Sequence, residues 1–476
     1  MKTFFISTSI PYVNAAPHVG HAQEFVIADI IARYHRYIGE DVFFVTGTDD
    51  NALKNVQAAE DAGIPVQDFV DKHAQEFLNL TEHLGLSQDH FICTSNNDVH
   101  KRGAQKLWVD SNKDDIYKKK YKGLYCVGCE EFKTEKDLKN GECEEHPGKK
   151  LVDVEEENYF FKLSNYQDKL KDMVEKRQLN IVSEQYKNEI ASFIDRGLQD
   201  FSISRSYERA HGWGISVPED DTQIQYVWFD ALSNYINALG YPDNDEKFKK
   251  YWESADQIVH VIGKGINRFH SIYWPAILMS AEVRTPDTIL VHGYFTVNGQ
   301  KMSKTIGNVV DPVEVIDKYG TDAFRYFVAR ESSVFGDSDF TWERFHESYN
   351  ANLANGIGNL TSRIMKMAED NLDAPVEIKE IDLPEEFKSL LDSFEIQKAA
   401  DFVWAKISEL DGYIQDTKPF KLVKENPEEA KKIITELVEK LYEISILLTP
   451  ILPETSEKIG EAIRKNKKPQ TLFERK

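Results

Sequence analysis

The sequence is poor in cysteine and has no long apolar run. Four cysteines among 476 residues cannot form a disulfide scaffold for so long a chain, so we expect a protein of the reducing cytoplasm. No stretch approaches the roughly 18 apolar residues of a membrane helix, so no membrane partner is expected. The net charge of −22 argues against a protein that coats nucleic acid through bulk electrostatics, although local basic patches remain compatible with a nucleic-acid substrate.

Two familiar nucleotide-binding fingerprints are also missing. Neither the phosphate-binding pattern GxxxxGK[ST] nor the dinucleotide pattern GxGxxG occurs. What remains is an ordinary globular composition, with 41% hydrophobic and 29% charged residues. The length is typical of roughly three domains.

Short apolar runs predict a parallel sheet. Residues 2–9 read as a strand, residues 20–38 as a helix that stops at Gly39, and residues 41–46 as the next strand. Comparable strands return at residues 257–263 and 288–291. The strand-helix-strand order predicts an α/β, Rossmann-like parallel sheet that binds its ligand at the carboxyl ends of the strands.

The last third of the chain has a different pattern, because its strand signals fade beyond about residue 346. Apolar residues there recur at helical spacing, namely Ile433, Leu437, Leu441, Ile444 and Leu448. Residues 346–476 are therefore predicted to form an α-helical domain.

Two histidines flank a glycine where the first helix should begin. His18 and His21 are three residues apart, so they should lie on one face beside unpaired backbone N–H groups. Phosphate oxygens bind at such a helix start, and Gly20 lets the backbone approach a flat ligand such as adenine. The alternative is a pair of histidines that only cap the helix.

Two lysines lie on a loop after the tight-turn dipeptide Asn298-Gly299. Lys301 and Lys304 could neutralise the charge of a triphosphate as it is displaced. The alternative is a solvated lysine loop. The two motifs together, in this order, predict an enzyme that uses ATP.

HVGH and KMSKT resemble the two signature sequences of class I aminoacyl-tRNA synthetases, with Val19 and Thr305 as conservative departures. The segments SIPYVNAAPHVGHA, YVWFDA, GINRFHSIYWPAIL and HGYFTVNGQKMSKT resemble the methionyl-tRNA synthetase family, and the likeness runs over nearly the whole chain. It implies a methionine–tRNA ligase that forms methionyl-adenylate from methionine and ATP, with Mg²⁺, and passes the methionyl group to tRNA(Met). The implied catalytic residues are His18, His21, Lys301 and Lys304, and Tyr12, Gly20 and Gly263 join them in binding ATP.

The resemblance also assigns a methionine pocket. Trp228, Ala231 and Tyr235, like Ile266, His270 and Trp274, recur at helical spacing, which by itself would mean packing between helices. The family likeness instead implies a methionine-binding set of Ser9, Ile10, Tyr12, Asp49, Trp228, Ala231, Tyr235, Ile266, His270 and Trp274. In this set Asp49 binds the substrate ammonium, and Tyr12 and His270 lie near the sulfur.

Two departures from the family pattern affect the same region. This chain has Asp49-Asp50-Asn51-Ala52 where the family often has Asp-Glu-His-Gly. It has Gly263-Lys264-Gly265 where the family often has Gly-Lys-Asp, which removes a carboxylate expected near the ribose.

Cysteine and histidine crowd together in an apparent insertion. Cys126 and Cys129, then Cys143 and His146, form two pairs of ligands that suit one tetrahedral structural Zn²⁺, with disulfides as the alternative. The resemblance implies a zinc knuckle, although the family often uses four cysteines, so His146 is a variant ligand.

In the helical domain, Asn359 and Arg363 resemble the pair that reads the anticodon in the family, and Phe420 stands where a tryptophan is usual. An amide and a guanidinium can bind base edges, and phenylalanine keeps a stacking face. The alternative is that Asn359 and Arg363 lie on a solvated helix face.

The resemblance gives the following domains: residues 1–115, the first catalytic half; 116–223, the connective insertion with the zinc knuckle; 224–290, the second catalytic half; 291–345, the KMSKS-loop linker; and 346–476, the helical anticodon-binding domain. The chain ends at Lys476 without the appended dimer-forming domain of some relatives, so a monomer is expected. Three other hypotheses stay open: a class I synthetase for another amino acid, a smaller nucleotidyltransferase, and an inactive relative that only binds tRNA or a partner.

Overall fold

A computed structural model describes residues 1–133, 138–143, 148–302, 307–379 and 381–476. The chain divides into two compact units. Unit 1 comprises Met1–Pro17, Gly39–Glu82 and Ser87–His292, and unit 2 comprises His18–Ile38, His83–Leu86 and Gly293–Lys476. Within the described ranges, no helix is both long enough and apolar enough to span a membrane.

The strands are, in chain order, β1 (Thr3–Thr8), β2 (Asp41–Thr48), β3 (His90–Cys93), β4 (Ile116–Cys126), β5 (Glu131–Lys133), β6 (Leu138–Lys139), β7 (Glu142–Cys143), β8 (Val152–Phe161), β9 (Asn180–Val182), β10 (Phe201–Ser202), β11 (Ser204–Ser206), β12 (Ser216–Val217), β13 (Asp220–Gln225), β14 (Gln257–Gly263), β15 (Thr288–His292), β16 (Phe295–Val297), β17 (Gln300–Lys301) and β18 (Ser338–Phe340).

The α-helices are α1 (Val19–Tyr37), α2 (Leu53–Ala62), α3 (Val66–His83), α4 (Asp98–Asp110), α5 (Gln167–Glu175), α6 (Glu184–Asp195), α7 (Val227–Leu232), α8 (Asn234–Asn237), α9 (Glu246–Phe248), α10 (Trp274–Ser280), α11 (Pro312–Tyr319), α12 (Thr321–Tyr326), α13 (Trp342–Ser348), α14 (Asn359–Asn371), α15 (Glu385–Asp392), α16 (Ile396–Thr417), α17 (Pro419–Glu425), α18 (Pro427–Leu448) and α19 (Pro453–Lys465). Shorter 3₁₀ turns cover Lys113–Asp115, Leu163–Tyr166, Tyr241–Asp243 and Lys264–Ile266, and π-helical segments cover Lys249–Glu253, Phe269–Tyr273, Phe327–Glu331 and Tyr349–Gly358.

Unit 1 is built on a parallel sheet with the strand order β3-β2-β1-β14-β15-β9. The strands β1, β2, β14 and β15 are buried on both faces, as expected for a sheet covered on both sides. The Rossmann-like sheet predicted from the sequence is confirmed. Between β3 and β14 the described residues form three antiparallel sheets, ordered β10-β8-β4-β5, β11-β13-β12 and β6-β7.

The core of unit 1 includes Phe5 on β1, Ile258 on β14 and the fully buried rings of Trp252 and Trp274. Burying an aromatic or branched aliphatic side chain contributes roughly 1.5–3 kcal/mol, so this core is a main source of stability for the unit.

Unit 2 combines α1 with the strands β16–β18 and the helices from α11 onward. β16 and β17 form a hairpin whose turn residues, Asn298 and Gly299, have φ values of 52° and 72°. This left-handed pair is what the sequence Asn-Gly predicts for a tight turn. The helices α14–α19 confirm the predicted helical region.

A buried ion pair ties α1 to the C-terminal helices within unit 2. The Arg325 guanidinium contacts the Asp29 carboxylate at 2.7 Å, and both side chains are 0% exposed. Arg325 also donates to the carbonyl oxygens of Pro450 at 3.0 Å and Ile451 at 2.9 Å, in the turn between α18 and α19. These acceptors replace water around the buried guanidinium.

Candidate active site

The N-terminus of α1 is closed by its own histidines. His18 is the N-cap residue, and its Nδ1 accepts the backbone N–H of Gly20 at 3.1 Å. His21 Nδ1 in turn accepts the backbone N–H of His18 at 3.2 Å, which completes a reciprocal capping box. The two rings stack with centroids 3.8 Å apart. The two histidines therefore do cap the helix. The same hydrogen bonds use Nδ1 of each ring as an acceptor.

Both imidazoles are neutral near pH 7 in this arrangement. Burial lowers the pKa of His18 to about 4, and burial together with the neighbouring His18 lowers the pKa of His21 well below its usual range. Each Nδ1 is an acceptor, so each ring carries its proton on Nε2. The pair thus supplies two N–H donors at a helix N-terminus, where anionic oxygens bind.

The two signature motifs meet inside unit 2. The backbone N–H of Val19 donates to the Val310 carbonyl at 3.1 Å. A Cβ added at Gly20 would lie 3.2 Å from Met302 Cε, so glycine leaves room for the methionine of the lysine motif. Lys301 is exposed on β17, with its Nζ 5.8 Å from the centroid of the Tyr294 ring. Lys304 lies outside the described residues.

In unit 1, the two histidines His260 and His270 form one buried polar cluster with Tyr235 and Trp274. The Tyr235 hydroxyl donates to His270 Nε2 at 2.7 Å, because His270 Nδ1–H is used by the Ile266 carbonyl at 3.0 Å. Burial lowers the pKa of His270 to about 4, so this ring is neutral. The Trp274 indole donates to His260 Nε2 at 3.3 Å.

Tyr12 and Trp228 continue the same wall. Their rings meet edge to face with centroids 6.3 Å apart, and Trp228 stacks on Phe269 at 3.8 Å. Trp228 also lies 6.3 Å from the His270 ring. Among the described residues, the buried Tyr12 hydroxyl has no hydrogen-bond partner, which indicates a polar group held ready for a ligand.

Asp49 follows β2 at the carboxyl edge of the sheet and pairs with Tyr12 through a parallel β-bridge. Burial, with the negative charges of Asp230 and Asp50, raises the pKa of the Asp49 carboxyl well above its usual range. Asn51, a departure from the family pattern, donates through its amide to Asp230 at 2.7 Å. His100 contacts the other oxygen of Asp230 at 2.6 Å, so Asn51 belongs to a connected polar network.

Four further residues predicted for the site lie on or beside the strands and helices of unit 1. Ser9 N–H donates to Val261 on β14. Ile10 packs against the unit 1 core, and Ala231 is buried on α7. Gly263 ends β14.

Three cysteine sulfurs converge in unit 1. Those of Cys126, Cys129 and Cys143 all lie within 4.8 Å of one another, and the Cys129 and Cys143 sulfurs are 3.4 Å apart. The cysteines are thiols, so the disulfide alternative is wrong for them. Three thiolates at 2.3 Å from one tetrahedral ion would be about 3.8 Å apart, so the cluster could hold a metal such as zinc. His146 lies outside the described residues.

In unit 2, Asn359 and Arg363 are both on α14, and Asn359 is exposed. The Arg363 guanidinium donates to Asp411 on α16 at 2.5 Å. Phe420, on α17, is 51% exposed, an unusual position for a large apolar ring.

Sequence reasoning missed His260 and Phe269. His260 interrupts the apolar run QIVHVIG, and a histidine within a buried strand is a usable signal for a polar cluster. Phe269 gave no signal, because its stacking partner Trp228 is on a different helix.

Known proteins are similar to this chain over nearly its whole length. A family model described as tRNA synthetases class I (M) matches residues 4–151 and 134–365, and one described as the anticodon binding domain of methionyl tRNA ligase matches residues 367–472. The methionine–tRNA ligase of Thermotoga maritima is 39% identical over 98% of this chain and 76% of its own length. The methionine–tRNA ligase of Brucella suis is 37% identical over 96% of this chain and 91% of its own length.

Solved structures agree. Methionyl-tRNA synthetase of Mycobacterium tuberculosis in complex with methionyl-adenylate superimposes with a TM-score of 0.90 at 36% identity, covering 97% of this chain and 94% of the other. The apo form of the same enzyme gives a TM-score of 0.82 at 34% identity, covering 96% of this chain and 91% of the other.

Proposed function

The chain belongs to the methionyl-tRNA synthetase family of class I enzymes and is an ATP-dependent methionine–tRNA ligase, and from this premise we propose how its residues divide the reaction. The observation that carries the assignment is the pair of neutral, stacked imidazoles, each with a proton on Nε2, at the N-terminus of α1.

Methionine binds in the pocket of unit 1. Asp49 takes the α-ammonium, whose positive charge favours the ionised form of a carboxyl whose pKa is raised by burial. The thioether lies among Tyr12, Trp228 and the Tyr235–His270 pair, because sulfur packs well against aromatic edges. Ser9, Ile10, Ala231, Ile266 and Trp274 complete the enclosure.

In the first step, a methionine carboxylate oxygen attacks the α-phosphorus of ATP. The new P–O bond forms as the bond to the bridging oxygen breaks, giving methionyl-adenylate and pyrophosphate. His18 and His21 donate their Nε2 protons as hydrogen bonds to phosphate oxygens, and Lys301 and Lys304 neutralise the leaving pyrophosphate. ATP enters with Mg²⁺, and Tyr12, Gly20 and Gly263 help to seat it.

In the second step, a hydroxyl of the terminal ribose of tRNA(Met) attacks the methionyl carbonyl and AMP leaves. The anticodon is read in the helical domain by Asn359 and Arg363, with a base stacked on Phe420. The 51% exposure of that ring supports the proposal, because a base would remove it from water.

Zinc is held by Cys126, Cys129 and Cys143, with His146 as the fourth ligand. The convergence of three sulfurs supports this, and a closed ligand set gives the ion a folding role. Thiols of this kind persist in a reducing cytoplasm, where we place the enzyme, and we propose that it works as a monomer.

Pyrophosphate exchange with each amino acid tests the assignment of substrate. We expect exchange with methionine alone. Exchange with leucine but not methionine would point to a synthetase for another amino acid, and no exchange at all would point to an inactive tRNA-binding relative. Light scattering of the purified chain tests the monomer.

A further inference from the structure

A half-buried lysine connects the cysteine knuckle (residues 126–130) to the methionine pocket. Lys54 is the second residue of α2, and its Nζ lies 3.7 Å from the centroid of the Tyr12 ring. The same ammonium donates to the Gly128 carbonyl at 3.0 Å. Gly128 lies between Cys126 and Cys129, so one cation touches both the knuckle and the substrate wall.

The backbone N–H of Lys54 also bonds to a residue of the knuckle. The N-cap residue of α2, Ala52, makes no side-chain cap. Glu130, which directly follows Cys129, supplies the cap instead, since its Oε1 accepts the Lys54 N–H at 2.9 Å. A helix N-terminus and an anionic carboxylate stabilise each other, so the knuckle fixes where α2 begins.

Glu130 is itself rigidly placed. Its side chain is 0% exposed, and Oε2 accepts the Tyr125 hydroxyl at 2.8 Å and Arg205 at 3.2 Å. The indole of Trp228 reaches the Cys129 carbonyl at 3.5 Å. Two wall residues of the pocket therefore contact the knuckle: Trp228 directly, and Tyr12 through the Lys54 ammonium.

Withdrawing the Lys54 ammonium from water is unfavourable unless other groups compensate its charge. Burial lowers the pKa of Lys54, while Glu130 and Asp49 raise it. Here the aromatic face of Tyr12 and the Gly128 carbonyl share that charge.

We propose that Lys54 is a positioning residue for methionine binding: its ammonium fixes the Tyr12 ring against the cysteine knuckle, so the knuckle sets the shape of the amino acid pocket. This inference rests on the proposed methionine-binding role of the pocket.

The test is Lys54→Gln, which keeps an N–H donor for Gly128 and removes the cation. We expect the KM for methionine in pyrophosphate exchange to rise about tenfold, because a partly desolvated cation–π contact is lost. We expect kcat to stay within about twofold, and the KM for ATP to rise less than the KM for methionine. Lys54→Arg keeps a cation and should bring the KM for methionine back to within about threefold of the parent value. Tryptophan fluorescence titrated with methionine alone should show the same order. Lys72→Met, at an exposed lysine of α3, is the matched control.

A double variant tests whether Lys54 acts through Tyr12. In a Tyr12→Leu background, Lys54→Gln should raise the KM for methionine little further, since the contact is already gone. A Lys54→Gln enzyme with an unchanged KM for methionine overturns the proposal. Equal losses in kcat and in the KM of both substrates, with a lower melting temperature, would also overturn it in favour of a purely structural role. If Asp49→Asn leaves methionine binding intact as well, the pocket assignment fails rather than the role of Lys54.

Discussion

The Tyr235 hydroxyl donates at 2.7 Å to the buried His270 ring, whose Nδ1–H goes to the Ile266 carbonyl and whose acceptor is therefore Nε2. The Tyr235→Phe substitution would leave that nitrogen buried without a donor, which costs about 1–3 kcal/mol. We expect a lower melting temperature and a KM for methionine raised about fivefold to tenfold, measured by thermal unfolding and pyrophosphate exchange. Tyr207→Phe, at a tyrosine that is 51% exposed, should change neither. An unchanged KM in Tyr235→Phe would remove this pair from the pocket.

The pH dependence of stability should report the capping histidines. An unfolded imidazole titrates near 6.5, whereas His18 in the folded protein titrates at about 4. The unfolded state therefore binds the proton first, and the stability that is complete above pH 6.5 is lost as the pH falls toward 4. Asparagine also caps helices, so His18→Asn should reduce the change in the urea midpoint between pH 7 and 5 while keeping α1. His21, whose pKa burial also lowers, should retain part of that change.

The same variant should lose activity. Removing an imidazole that donates to the transition state costs about 10²–10³-fold in kcat for pyrophosphate exchange. His83→Asn, at an exposed histidine of the same unit, provides the comparison. If the urea midpoint of His18→Asn depended on pH as that of the parent does, His18 would not be the source of the pH dependence of stability.

Metal content should follow the cysteine cluster. We expect about one zinc per parent chain and a loss of most of it in the Cys126→Ser/Cys129→Ser double variant, measured by elemental analysis. Cys93→Ser, at a cysteine outside the cluster, should keep its zinc. A double variant that still holds one zinc would refute the assignment.

The ion pair of Asp29 and Arg325 should be a large contributor to the stability of unit 2. Asp29→Asn leaves a guanidinium buried without its counter-charge, so the free energy of unfolding should fall by about 3–5 kcal/mol, measured in urea. Asp401→Asn breaks the more exposed pair with Arg330 and should shift the midpoint little. Similar shifts in both variants would mean that water reaches Arg325.

Phe420 should matter for tRNA and not for adenylate formation. We expect Phe420→Ala to raise the KM for tRNA(Met) about 5- to 100-fold through lost base stacking, with pyrophosphate exchange unchanged. Phe420→Trp keeps a stacking face and should stay near the parent in aminoacylation. If alanine has no effect on the KM for tRNA, Phe420 is not part of the anticodon site.

Local features were the ones that the sequence predicted well. The apolar runs located β1, β2, β14 and β15 to within two residues, and Asn298-Gly299 located the hairpin. These patterns depend on neighbours in the chain, whose spacing can be read directly.

Long-range partners were not predictable in this way. Nothing local to Lys54 indicates that its charge lies on the Tyr12 ring, or that Glu130 caps its helix. Arg363 was predicted as an anticodon reader, yet its partner Asp411 is 48 residues away along the chain. Such contacts depend on how the whole chain folds, and periodicity carries no information on them.

The contacts of Arg325 bear on how members of this family can exchange parts. The two matched family models meet between residues 365 and 367, so a recombination point there looks natural. Arg325 lies before that point, whereas its acceptors Pro450 and Ile451 lie after it. A chimaera joined at residue 366 is therefore compatible only when the incoming helices bring carbonyls to the same places. The border between the two family models in the sequence is therefore crossed by buried hydrogen bonds in the structure.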